Sequence, residues 1–141
     1  MVSTISSMRL FRIGLLAQSL LYVASGINHF WHKGFYLRIM PDHYSDPEAL
    51  VRLSGAAEIL GGLGLLAPST RRVSAAGIVL MLVVFLDVHQ FMLRHPERFP
   101  EVPAWVLWAR IPLQLVLIAW AWRYTHDRGT TFRGRNAGRD T

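Results

Sequence analysis

Cysteine is absent from all 141 residues, so this chain cannot run thiol–disulfide exchange, hold an iron–sulfur cluster on its own thiolates or attach a c-type haem. A glycine-rich phosphate loop opening a helix is also missing, as is a nucleophile elbow, which removes the usual sequence marks of nucleotide binding and serine hydrolysis. No internal repeat and no low-complexity segment interrupts the chain. What is plentiful is apolar side chain, 52% of the residues. It is gathered into runs of roughly 20 residues, too long for core strands and too apolar for a mixed soluble surface.

Residues 10–31 are apolar with Gln18, Asn28 and His29 as the strong polar interruptions. At about 1.5 Å rise per residue such a stretch covers a hydrocarbon core of about 30 Å. Residues 49–67, 73–93 and 103–124 follow the same rule, each bounded by charge, proline or both. Arg9 and Arg12 before an apolar run ending at Ser25 and Gly26 also suit a cleaved leader. The apolar pattern continues through Ile27, Phe30 and Trp31, so the stretch reads as a span. The expected fold is an all-α membrane protein: a four-transmembrane-helix antiparallel bundle with a short interfacial helix after the first span. It fills one domain, residues 1–125, followed by a basic, disordered cytoplasmic tail, 126–141.

Arginine sets the orientation. Arg9, Arg12, Arg71, Arg72, Arg123, Arg128, Arg133, Arg135 and Arg139 flank one side; Lys33, Arg38, Arg52, Arg94 and Arg98 flank the other, where Asp42, Asp46, Glu48, Glu97 and Glu101 balance them. The positive-inside rule then puts both termini in the cytoplasm of a cell (inner) membrane. The net charge of +6 is thereby a topology signal, and the basic tail suits anionic lipid. No fold or aromatic interleaving points to a nucleic-acid partner. Trp31, Trp105 and Trp108 at the outer ends, with Trp120, Trp122 and Tyr124 at the inner end, are placed as aromatic belts.

The connections differ. A tight hairpin is expected around Pro68, Ser69 and Thr70. In the first outer connection Phe35, Tyr36, Ile39 and Met40 make one apolar side of a short helix that Pro41 ends, laid flat as a lid. The second, 94–103, holds Pro96, Pro100 and Pro103 and should be extended. Within the spans, Ser54, Ala57, Gly61 and Gly64 mark a close-approach face that carries Glu58. Arg110 and Gln114 share a face of the fourth span, where Pro112 strips the Trp108 carbonyl of its N–H partner.

Because successive spans run in opposite directions, His29, Glu58, Asp87, His89 and Arg110 fall in one layer toward the outer side. Charge inside a bilayer is costly and marks a working site or a structural ion pair. Two carboxylates and one arginine leave one negative charge to offset by a proton, a charged histidine or a bound cation. Two readings follow. In one, Glu58 and Arg110 form an ion pair that locks the bundle, with Asp87 the second candidate partner for the arginine. In the other, all five residues line one ligand pocket beneath the 35–40 lid, open between the first and fourth helices. Neither assigns a catalytic residue or a metal ligand. His29 and His32 at i, i+3 with His89 leave a metal or b-type haem geometrically open, against the plainer role of polar anchors. No cofactor is certain; a quinone needs only an apolar slot with a few donors, available from His29, His89, Arg110, Trp105 and Trp108.

The segments GINHFW (26–31), GFYLRIMP (34–41), SGAAEILGGLGLLAPSTRR (54–72) and PAWVLWARIPLQLVLIAWAW (103–122) together resemble the DoxX family of small four-helix membrane proteins. The Glu in the Gly-rich second span, followed by a basic pair, is the most specific element. Asp87-Val88-His89 departs from the Asn-containing segment near a proline of many relatives. The resemblance implies a four-span bundle linked to membrane redox systems, since relatives include subunits associated with thiosulfate:quinone oxidoreduction. The expected function is therefore a non-catalytic accessory subunit of a redox or stress-linked system, with an outward-facing polar pocket for quinone. The alternative is a membrane chaperone or assembly factor that holds a partner through the same polar layer. Expected partners are the lipid bilayer and another membrane or redox protein, or a second copy of the chain.

Overall fold

A computed structural model describes residues 2–126, with side chains from residue 7 on. Of the expected tail, residues 127–141 lie outside the described residues. The described chain is helical: α1 (Val2–Trp31), α2 (Lys33–Ile39), α3 (Pro47–Leu66), α4 (Arg71–Arg94) and α5 (Ala104–Thr125), with a 3-10 turn at Pro96–Arg98. No strand occurs among the described residues. Four helices are long and apolar enough to cross a membrane, over Ser7–Trp31, Pro47–Leu66, Arg71–Arg94 and Ala104–Thr125. Leu10, Leu53, Val73 and Leu80 are among the large apolar side chains turned outward, the exposure a lipid-facing surface tolerates and a water-facing one does not.

Local chemistry sets the helix ends. Asp46 caps α3 by accepting from the Ala49 N–H at 2.9 Å, with Pro47 in the first turn and Glu48 beside the positive end of the dipole. The α3–α4 turn closes through Ala67, whose carbonyl accepts from the Arg71 N–H at 2.9 Å. Arg71 and Arg72 then use their side chains on the neighbours: Arg71 Nε donates to the Leu65 carbonyl at 2.9 Å and Arg72 Nε to the Thr125 carbonyl at 3.0 Å. The basic pair thus satisfies the unpaired C-terminal carbonyls of α3 and α5. Helix α5 continues through Pro112 without a break.

Helix α3 is central, packing on α1 and on α4, while α5 packs chiefly on α4. The α1–α3 seam is glycine-lined. A Cβ on Gly26 would lie 2.5 Å from the Gly55 carbonyl oxygen, and one on Gly62 2.8 Å from that of Ser19. Ser19 Oγ donates across this seam to the Gly62 carbonyl at 2.7 Å. Gly61 and Gly64 face α4 instead, against Ile78 and Ser74. The small residues of α3 therefore serve two faces, where the sequence suggested one.

Two apolar clusters hold the ends. One, nearer the α3–α4 turn, joins Leu15, Leu65, Ile78 and Tyr124; the other, nearer α2, joins Ile39, Met92, Phe99 and Leu107. Phe99 explains why the 94–103 connection is coiled rather than extended. Its side chain is buried, and the Phe99 and Val102 N–H groups close successive turns onto Pro96 and Phe99 carbonyls. Tyr124 differs from its expected belt position: it is fully buried in the first cluster, where half-buried Trp120 packs against it and donates from Nε1 to its hydroxyl at 3.3 Å.

Candidate functional site

Between these clusters the helices leave a cavity of about 220 Å³. Tyr22 and Leu82 bound it on one side and Ile39 and Val88 on the other. Each helix adds polar groups: Ser25 and His29 from α1, Tyr36 from α2, Glu58 from α3, His89 from α4, and Arg110 and Gln114 from α5.

Glu58 is 3% exposed. Its Oε2 lies 3.2 Å from His29 Nδ1, and the same nitrogen lies 3.1 Å from the Ser25 carbonyl one turn back. A carbonyl oxygen only accepts, so Nδ1 carries a proton and aims it there. Glu58 Oε2 consequently sits at ion-pair distance while accepting no hydrogen bond. Gly55, one turn before Glu58, creates this proximity, because a Cβ there would come within 2.8 Å of His29 Cβ. The His29 ring stacks on Tyr36, centroids 3.7 Å apart, and the Tyr36 hydroxyl accepts from Asn28 Nδ2 at 2.9 Å.

On the opposite wall Gln114 Nε2 donates to the Leu82 carbonyl at 2.6 Å. That orients the amide, leaving Oε1 to face His89 Nε2 at 3.3 Å. His89 therefore holds its proton on Nε2, and its buried Nδ1 has no partner. Arg110 is half-buried, with Nη1 donating to Met92 Sδ at 3.3 Å.

The structure brings His29, Glu58, His89 and Arg110 around one cavity and leaves Asp87 out. Asp87 accepts from the Tyr44 hydroxyl and pairs with His43 Nε2, each at 3.0 Å, with its side chain 44% exposed. Residues two apart on a helix point about 200° apart, so Asp87 and His89 cannot face the same space. The expected Glu58–Arg110 pair does not form. Equal depth suggested it, but α3 packs on α1 and α4 rather than on α5, and His29 takes the place beside the carboxylate. His32 is exposed, within 2.6 Å of Asn28 Oδ1 and away from the cavity. No group of three potential metal ligands forms among the described residues.

Tyr22 and Ser25 escaped the sequence reading as site residues, and Tyr36 was placed only on the apolar side of the lid. The signal for two of them was present: Gln18, Tyr22, Ser25 and His29 recur at helical spacing as a polar stripe on an otherwise apolar span. Above the cavity the connections are strapped together. Lys33 pairs with Glu48 and Arg38 with Glu101, and Arg98 grips Asp42 with two bonds of 3.0 and 2.9 Å. The Arg98 guanidinium holds the Asp42 carboxyl below its ordinary value, whereas burial, then the Asp87 carboxylate, pushes the Tyr44 phenol up.

Fold and site together define a class: a small protein, helical over its described residues, with four membrane-length apolar helices and a mostly apolar cavity that polar side chains from each helix line. Within that class the chain belongs to the family described as "Domain of unknown function (DUF8561)", whose model matches residues 18–125. No curated protein and no solved structure matches the chain. Neither the DoxX resemblance nor a redox role is carried by that family description.

Proposed function

We propose that the cavity binds an aromatic ring ligand of quinone type, and that the protein is an accessory subunit of a membrane redox or stress-linked system rather than an enzyme in its own right. One observation carries this reading. An apolar-walled space is lined by polar side chains from every helix, Glu58, His89 and Arg110 among them. Apolar walls with a few placed polar groups are what a membrane-dissolved ring requires. The DoxX-like segments support the redox association. Purified protein in detergent should bind a short-chain benzoquinone, in either redox state, saturably and one to one. Ser25→Leu, which fills the space, should weaken binding about tenfold or more while leaving the helical content intact. Absence of binding in both detergent and lipid discs overturns the proposal.

We infer further that the helices form an antiparallel four-span bundle in the inner membrane, both termini cytoplasmic and α2 lying at the outer interface. Short connections between α3 and α4 and between α4 and α5, together with the arginine asymmetry, support this. A reporter inserted between Ala67 and Arg71 should read as cytoplasmic and one near Asp46 as external; the reverse pattern inverts the topology.

A second reading, a membrane chaperone or assembly factor, is favoured by a separate apolar groove of about 290 Å³ between α3 and α4. Ala57 and Gly77 line it, and a Cβ on Gly77 would meet nothing within 4 Å, which leaves room for a partner helix or a second copy of this chain to approach closely. Because the chain has no native cysteine, Gly77→Cys gives a clean cross-linking test. A specific cross-linked species in membranes would support it, and monomer alone would remove it.

A further inference from the structure

We infer that the ring ligand of the cavity carries a long apolar tail, and that this tail lies in the groove between α3 and α4. This rests on the ring-binding reading above and adds the second half of the ligand, with the place that holds it.

The cavity and the groove adjoin. The same four residues, Met40, Ser54, Phe85 and Val88, line both, so the wall between the two spaces is one residue thick. Near their turn α3 and α4 are in direct contact, Gly61 and Gly64 packing on Ile78 and Ser74. The groove runs alongside this contact from Gly77 to Val88 on α4, about 16 Å at the helical rise. Its volume of about 290 Å³ exceeds the 220 Å³ of the cavity.

The two spaces differ in what they ask of an occupant. Every helix brings a polar side chain to the cavity, Arg110 and Glu58 among them. In the groove only Tyr44 and Ser54 carry polar side-chain atoms, and both are engaged already: the Tyr44 hydroxyl donates to Asp87 at 3.0 Å and Ser54 Oγ to the Val51 carbonyl at 3.1 Å. The rest of its lining is apolar, and Leu53 and Leu80 on it are largely exposed, which leaves the groove open to the acyl phase. Such a surface offers a hydrocarbon chain contact without demanding a hydrogen bond.

A chain gains little by leaving lipid for this groove, because acyl tails are as apolar as leucine. The ring supplies the affinity, and the groove decides where the chain goes. At about 220 Å³ the cavity is smaller than pockets that enclose a whole drug-sized ligand, so a long chain must continue outside it. The thin shared wall leads into the one neighbouring space already shaped to receive it. A tail that enters first can pass through before the ring seats, so its resting place is separate from the side of entry. Binding alone is proposed; no bond forms or breaks.

The test uses the full-length protein in detergent with a benzoquinone bearing a decyl chain, its methyl analogue, and a decyl probe carrying a photoactivated diazirine at mid-chain. Irradiation should label groove residues on α3 and α4, among them Leu53, Ala57, Leu80 and Val84, and excess decyl probe should suppress that labelling. Ala57→Leu fills the groove and leaves the cavity lining unchanged. It should weaken the decyl probe about tenfold, because the chain has to bend out by another route, while the methyl analogue binds as before. Gly77→Leu, where an added Cβ meets nothing within 4 Å, is a second filling variant that serves if the first misfolds. If the specific label falls on α1 or α5 instead, around Leu21 or Leu117, or if both variants leave the decyl probe unweakened, the inference fails and ring binding stands. It fails as well if cross-linking of two copies through Gly77→Cys proceeds undiminished at saturating decyl probe, since a second copy then fills the groove. If neither the decyl probe nor the methyl analogue binds, the ring-binding proposal itself fails.

Discussion

Glu58 is the residue on which most of the site turns. A buried carboxylate that receives no hydrogen bond is stabilised only by the field of its neighbour, here the His29 imidazole 3.2 Å away. Breaking a buried pair by removing one member costs about 3–5 kcal/mol, since the other charge is left stranded. His29→Ala should therefore destabilise the protein by an amount of that order, measured by denaturant titration in mixed micelles. Glu58→Gln removes the other member and should cost a comparable amount, whereas the double variant, which strands neither charge, should recover most of the loss. Wild-type stability in His29→Ala would show that the pair contributes nothing. The sequence allowed His29, Glu58, His89 and Arg110 to be picked out, since charge within apolar runs is conspicuous, but it added Asp87, missed Tyr22 and Ser25, and gave Glu58 the wrong partner. Depth along a helix can be counted from the span boundary. Which helix stands beside which cannot, and that neighbour relation is what gives Glu58 to His29 rather than to Arg110.

At the scale of the helix, the α1–α3 seam shows how backbone approach replaces the hydrophobic drive that lipid withdraws. A side chain at Gly26 would strike the Gly55 carbonyl and Ile59 at 2.5 and 2.7 Å, and a backbone oxygen cannot swing aside. Gly26→Ala should thus force the helices apart and cost about 1–3 kcal/mol. Gly77→Ala is the matched control: with nothing within 4 Å of the added atom, it should stabilise α4 by up to about 1 kcal/mol through helix propensity alone. Equal tolerance of both changes, read from thermal unfolding in the same detergent, would rule out a tight seam. The membrane-length helices and the short α2 were legible because apolar length and an i, i+4 face are local properties. The coiled 94–103 connection was not, because three prolines argue for extension and only the burial of Phe99 in a distant cluster argues against it.

Across the whole molecule, ion pairs tie the connections at the α2 end to one another. The Arg98 guanidinium lowers the Asp42 carboxyl below its ordinary 3.8, so the sign of the linkage is fixed: the contribution is complete above the unfolded value and is lost as pH falls through the lower folded one. Hydrogen-exchange protection over residues 40–46, corrected for intrinsic rate, should stay level from pH 7 to about 5 and fall only below about 4. Asp42→Asn should show the weakened level at every pH. A loss of protection already between pH 7 and 6 would assign the strap to another group.

The wall of the cavity is thin where Leu21 stands, for this side chain both lines the space and is 43% exposed on the outer surface of α1. Helices α1 and α5 meet near Tyr124, which packs edge-on to Phe11. On the ring-binding proposal, such a wall opens sideways, into the acyl phase. Occupancy would then follow the mole fraction of ligand dissolved in the bilayer, not its concentration in the buffer. Diluting a fixed amount of ligand with added empty vesicles should lower saturation in proportion to total lipid, whereas a solute entering from the aqueous side would be indifferent to that dilution.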